Sequence, residues 1–177
     1  MRKTFIYYSI ICLTLLFCQA CHNKQTEQTI EYQSYEQPDT TCSVQRMKDY
    51  HYHEKIEDGN VHFSYDITRK ADETLPTITS EDNMVFADNY IRLKISKGDT
   101  EILNKTFTKQ TFKPFIDQDF YNKSILEGMA FHKIDGKNLR FVSSISYPET
   151  DMFILCAITI APDGTYSITK EDNLEMN

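Results

Sequence analysis

Glycine and proline are scarce in this chain, five of each among 177 residues, whereas tyrosine and phenylalanine number eleven each. That balance argues against a disordered polypeptide and favours a packed β-fold. A long apolar run is missing too. The one candidate, Phe5–Phe17, is interrupted by Ser9 and Thr14 and is too short to serve as a membrane-spanning helix. Positive charge is in deficit, 19 Lys and Arg against 26 Asp and Glu. Nucleic-acid binding needs a basic footprint that releases counterions from phosphate, so the balance argues against that class and against flat contact with anionic headgroups. Familiar chemical signatures are absent as well: no glycine-rich phosphate loop, no Cys-x-x-Cys pair, no nucleophile elbow.

What is present begins at the amino terminus. Arg2 and Lys3 make a short basic start, the apolar run follows, and Leu15-Leu16-Phe17-Cys18-Gln19-Ala20-Cys21 closes it before the wholly polar His22–Gln28. The pattern resembles a bacterial lipoprotein signal, cut before a cysteine that then carries the lipid. The resemblance implies a signal peptide over residues 1–20, and a diacyl or triacyl (palmitate-type) group on Cys21. It also implies a lipid anchor to the outer membrane. Two or more chains anchor stably, because each buried methylene contributes roughly 0.8 kcal/mol and one chain alone holds only marginally. A plain secretory signal cut after Ala20 is the other reading. Surface export resembles a code of acidic residues just after the cysteine, and His22-Asn23-Lys24-Gln25 lacks it. The expected position is therefore the periplasmic face of the outer membrane rather than the cell surface.

Loss of residues 1–20 leaves 17 basic against 26 acidic residues, in a length that suits one domain plus a tether. Residues 21–49 read as the tether, since the Gln/Thr/Glu-rich run His22–Thr41 holds almost no aliphatic residue. Asp39-Thr40-Thr41 looks like the short acceptor for O-glycosylation in Bacteroidetes-type exported proteins, with Thr40 as the modified residue. Of the cysteines beyond Cys21, Cys42 lies in polar chain and Cys156 in an apolar strand. An exported protein could bridge them, while Cys156 also reads as a small core residue.

Residues 50–177 read as a β-rich globular domain. Tyr50–Ile56 and Val61–Thr68 flank Asp58-Gly59, a strong hairpin signal. With that dipeptide as the turn, Ile56 opposes Val61, Tyr52 opposes Tyr65 and Tyr50 opposes Ile67. Arg69–Asn83 is polar and reads as a loop. Asn89–Ser96 alternates strictly and returns through Lys97-Gly98-Asp99 as Thr100–Lys109, whose lysines suit a protected edge strand. Lys113–Asn122 is the one short helix, starting at Pro114. Ser124–Ile134, Asn138–Tyr147, Asp151–Ala161 and Thr165–Lys170 form a meander with Gly or Pro at every turn. Phe153–Ile158 is apolar on both faces and is expected in the middle of the fold, covered on both sides. The reading is all-β: an antiparallel sandwich or partly closed barrel of roughly eight strands with one short helix.

Asp88-Asn89-Tyr90-Ile91-Arg92-Leu93-Lys94-Ile95, Lys105-Thr106-Phe107-Thr108-Lys109 and the closing pair around Pro162-Asp163-Gly164 resemble a family of small Bacteroidetes-type lipoproteins. That family carries a domain of unknown function. These are strand and turn residues, so the resemblance implies a shared fold and brings no catalytic residues. The function expected is a non-catalytic binding or envelope-associated module whose partner is an envelope protein or a glycan. The alternatives are an envelope hydrolase and a structural subunit of an envelope complex. No cofactor is required. One chemical candidate remains on the outer face of the first hairpin. There His51, His53 and Lys55 lie opposite Asp66, Ser64 and His62 in the expected register. His51, His53, His62 and Asp66 could converge on Zn or Cu, or His51 could simply pair with Asp66.

Overall fold

The structure, a computed structural model, describes residues 43–58 and 61–171. Cys21, Thr40 and Cys42 lie outside them. Period-two alternation and turn chemistry build two four-stranded antiparallel sheets. The first contains β1 (Tyr50–Asp58), β2 (Val61–Ala71), β5 (Asn89–Lys97) and β6 (Thr100–Thr108), in the order β1-β2-β5-β6. The second contains β7 (Ile125–Asp135), β8 (Asn138–Ser146), β9 (Phe153–Ile160) and β10 (Tyr166–Glu171), in the order β10-β9-β8-β7. Two short strands, β3 (Ile78–Thr79) and β4 (Val85–Phe86), pair with each other. The sheets face one another as a sandwich, and among the described residues no closed barrel forms.

The core lies between the inner faces. Phe63, Tyr65 and Ile67 on β2 meet Ile91, Leu93 and Ile95 on β5, and across the interface Leu139, Phe141, Ile145, Ile158 and Ile160. All are buried, and burying one such side chain contributes roughly 1.5–3 kcal/mol. One close contact locks a rim of the sandwich. Gly164, in the β9–β10 turn at φ +84°, sits where a Cβ would collide with the main chain of Ile102 on β6. A larger residue there would be strained twice, by its φ and by this approach.

Several expectations are corrected. The first hairpin pairs Ile56 with Phe63, Tyr52 with Ile67 and Tyr50 with Arg69, a register two residues away from one closing at Asp58-Gly59. Because the side-chain period is two, that shift preserves which face each residue occupies. Arg69–Asn83 is not wholly loop: β2 runs on to Ala71, and Ile78–Thr79 is a strand. The single helix divides into α1 (Lys109–Phe112), a 3-10 turn at Lys113–Phe115 and α2 (Gln118–Lys123). Asp117 caps α2 by accepting the Phe120 N–H, and Ile116 between them is extended. Finally, β9 is an inner strand of its sheet, but only one of its faces is in the core. Phe153 is 56% exposed and Leu155 half-buried. Ala157 on that outer face is buried; the Arg140–Glu171 ion pair, from the strands on either side, spans it.

Residues ahead of β1 also join the fold. Gln45 forms a parallel bridge to Phe86, Arg46 pairs with Glu73, and the Lys48 carbonyl accepts from Arg69. Cys156 is a buried free thiol, pushed up to about 11 by burial.

Candidate functional site

On the outer face of the first hairpin, the strand ladder brings three of the four candidate ligands together. His51 Nε2 and His53 Nδ1 each lie 3.1 Å from Asp66 Oδ1. His53 stands directly across from Asp66, and His51 reaches it from the diagonal. His62 pairs with Glu57, four residues along β2 from Asp66, and Lys94 faces Asp66 from β5. At about 3.4 Å per residue, His62 is more than 10 Å of strand away. Among the described residues no group of three or more His, Cys, Asp or Glu is placed to hold a metal ion.

A second polar constellation is buried, and it lines the free edge of β7. Asp88 and Asn89 stand where the chain enters β5. Asp88 Oδ1 accepts the N–H groups of Asn89 and Leu126, both at 2.8 Å. Asn89 Nδ2 donates to the Leu126 carbonyl at 2.9 Å. The two side chains thus satisfy both main-chain groups of one β7 residue. At the next residue, Arg69 Nη1 donates to the Glu127 carbonyl while Nη2 reaches the Lys48 carbonyl at 2.6 Å. Two residues further, Tyr50 Oη donates to the Met129 carbonyl at 3.3 Å and accepts its N–H at 3.2 Å. The Arg69 guanidinium lies 4.6 Å from the Tyr50 ring centre. Just before the strand, Lys109 Nζ donates to the Ser124 carbonyl. Its ammonium is 3.4 Å from Asp88 Oδ2 and 4.8 Å from the Tyr121 ring centre.

Among the described residues, the β7 backbone these groups serve has no strand partner on that side. Unpaired buried main-chain groups cost roughly 1–3 kcal/mol apiece, so the clamp is a large stabilising device. Burial raises the Asp88 carboxyl above its ordinary range, with Lys109 and the two N–H donors opposing the shift. Burial likewise lowers the Lys109 ammonium, with Asp88 opposing. A cleft of about 410 Å³ opens beside the pair, lined by Leu75, Pro76, Ile78 and Tyr121. Shifted ionisable groups border it, Asp88 and Lys109 at its wall and Tyr121 beside them. Asp88 nevertheless has both oxygens occupied, which leaves it poorly placed to exchange protons with a ligand.

The sequence reads Arg69 as the start of a polar loop and Lys109 as one of the lysines protecting an edge strand; the structure buries both. The signal for Arg69 was present: Phe63, Tyr65 and Ile67 alternate on the core face, and one further step of the same period is Arg69. Lys109 follows Phe107 by the same two residues. A charged residue continuing an inward alternation marks a buried polar role.

These features define a class, an antiparallel β-sandwich whose second sheet is clamped along one edge by side chains of the first. The chain belongs to the family carrying the Domain of unknown function (DUF4738), which it matches over residues 29–168. Every clamp residue falls inside that span. A comparison with curated proteins found no match.

Proposed function

We propose that this protein is a non-catalytic binding module, tethered to the outer membrane by lipid on Cys21 and facing the periplasm. The observation that carries the non-catalytic part is the use of the buried ionisable groups. Asp88, Arg69 and Lys109 are engaged by main-chain groups and by one another, so the interior charges serve architecture. Recognition of an envelope protein or a glycan then falls to the surface. The anchoring part rests on Leu15–Cys21. Cys21→Ser is expected to move the chain from the membrane to the soluble fraction with its thermal transition unchanged. Membrane retention of that variant in detergent-free fractionation overturns the anchor. Protease shaving of intact cells tests the face, with protection expected. Affinity purification of the lipidated protein from its own envelope is expected to recover a partner protein or glycan.

One observation favours a second reading, an envelope hydrolase: the raised Asp88 carboxyl beside a cleft. That reading requires Asp88→Asn to abolish turnover while leaving stability intact. The clamp requires the opposite, a fall in stability.

A further inference from the structure

The four sheet edges of the sandwich are not treated alike. The edge of β7 is capped by side chains, as described. Against β6 sits the β9–β10 turn, where Gly164 meets the main chain of Ile102. The same edge carries Phe107 against the Tyr166 ring at 5.7 Å and Lys105 at 5.9 Å from that ring. β10 is short, and its Lys170 occupies the core-side register opposite Cys156, an inward charge of the kind that discourages strand addition. β1 has neither a covering turn nor side-chain caps on its main chain, and the charge on its inward side is a carboxylate, Glu54, rather than a lysine. It runs nine residues in continuous register with β2, without a bulge and without proline. Residues 51–55 are all exposed. Among the described residues, no hydrogen bond outside the β1–β2 ladder reaches its main chain.

The inward-facing side of this edge carries a distinct chemical group. Glu54 Oε2 accepts from Tyr52 Oη at 3.1 Å and from Tyr65 Oη, and among the described residues it forms no ion pair. Tyr65 is rigidly held, packed edge-on to Phe141 at 5.2 Å and against Phe131 at 5.7 Å. Tyr52, 6.0 Å from the Tyr65 ring centre, is half exposed. An uncompensated carboxylate held by two phenols beside an open aromatic face suits a cation.

We propose that the free edge of β1 accepts an extended basic segment of a partner polypeptide as an added strand, with a Lys or Arg of that segment docking on Glu54 beside Tyr52. This deepens the binding-module reading by naming the class of partner. Main-chain hydrogen bonds along β1 supply affinity, and the Glu54 notch supplies selection, as in strand-addition recognition generally. The charge argues against a second copy as the occupant. This chain carries a net −7, and β1 itself sets Glu54 and Glu57 against Lys55 alone in its exposed stretch. The partner is therefore basic.

The test titrates the full chain, in detergent, with two capped peptides, one alternating valine and lysine and the other valine and glutamate. Amide hydrogen exchange of β1 is followed alongside. The lysine peptide is expected to bind, to slow exchange in residues 51–57, and to bind roughly tenfold more weakly to Glu54→Gln, the loss of one charge-assisted contact. Tyr52→Lys, which places an inward lysine on the edge, is expected to abolish binding with the thermal transition unchanged. Glu101→Gln, on the far strand of the same sheet, is expected to leave binding as it is. Equal binding of the two peptides, no slowing of exchange in β1, or an equal effect of Glu101→Gln overturns the proposal. So does a concentration-dependent dimer that Tyr52→Lys dissolves, since that assigns the edge to a second copy. Neither peptide titration nor exchange depends on Cys21, so failure here is distinct from failure of the anchor.

Discussion

The edges of β7 and β1 lie on the same flank of the sandwich and present the same problem, a row of unpaired main-chain groups. The molecule answers it at β7 with Asp88, Asn89, Arg69 and Tyr50, and among the described residues leaves β1 open. The difference follows from burial. At Leu126 the edge is fully buried, where water cannot satisfy an N–H or C=O, so a side chain must. Along β1 the chain is exposed, water satisfies the same groups at little cost, and the edge stays available. A capped edge is a stability device, and an uncapped one is a site in waiting.

The largest effect expected from breaking this contrast is at Arg69. Arg69→Ala removes the donors to the Glu127 and Lys48 carbonyls and is expected to cost about 2–5 kcal/mol in urea unfolding. That equals the loss expected for the core truncation Ile158→Ala, about 2–5 kcal/mol. A loss below about 1 kcal/mol for Arg69→Ala would show that the cap is dispensable. Tyr50→Phe deletes one hydroxyl and its two bonds to Met129, and about 1–3 kcal/mol is expected. Leu155→Ala, on the half-buried outer face, is expected to cost less than Ile158→Ala by the same measurement.

A pH experiment sharpens the account of the clamp. The Asp88 carboxyl is raised above its ordinary 3.8 by burial. The folded state therefore binds that proton more tightly than the unfolded state. The contribution is fully present below the ordinary value and is lost as pH rises through the folded one. Destabilisation by Asp88→Asn is accordingly expected to be greater near about pH 4 than near about pH 7. Urea midpoints across that range check the sign, and a gap that widens with pH would contradict it. The smallest effect belongs to the open edge. Glu54→Gln is expected to shift stability by no more than about 0.5 kcal/mol, the range of ordinary surface changes. Amides along β1 should exchange faster than those of β7.

Much of the fold was legible because strand alternation and turn residues are local. Asn89–Lys97 alternates, Gly98 at φ +58° turns the chain, and Gly136 and Gly164 do the same in the meander. The hairpin register was misjudged by two because Asp58-Gly59 offered a plausible turn, while the pairing places Asp58 opposite Val61. Even so, the faces were assigned correctly, since a two-residue slip keeps parity. The gathering of His51 and His53 on Asp66 was visible for the same reason, and the separation of His62 was not.

By itself, the sequence determined the class of fold, the inward and outward faces of the first hairpin and of Asn89–Ser96, and the acidic net charge. These follow from side-chain period and composition, which need no knowledge of distant neighbours. Only the tertiary structure decided what the buried charges do. Tyr50 meets Met129 across 79 residues, Arg69 meets Glu127 across 58, and Asp88 meets Leu126 across 38. Side-chain caps of this kind depend on which strand edge is carried into the dry interior, and that is set by how two sheets pack, a choice no local pattern encodes.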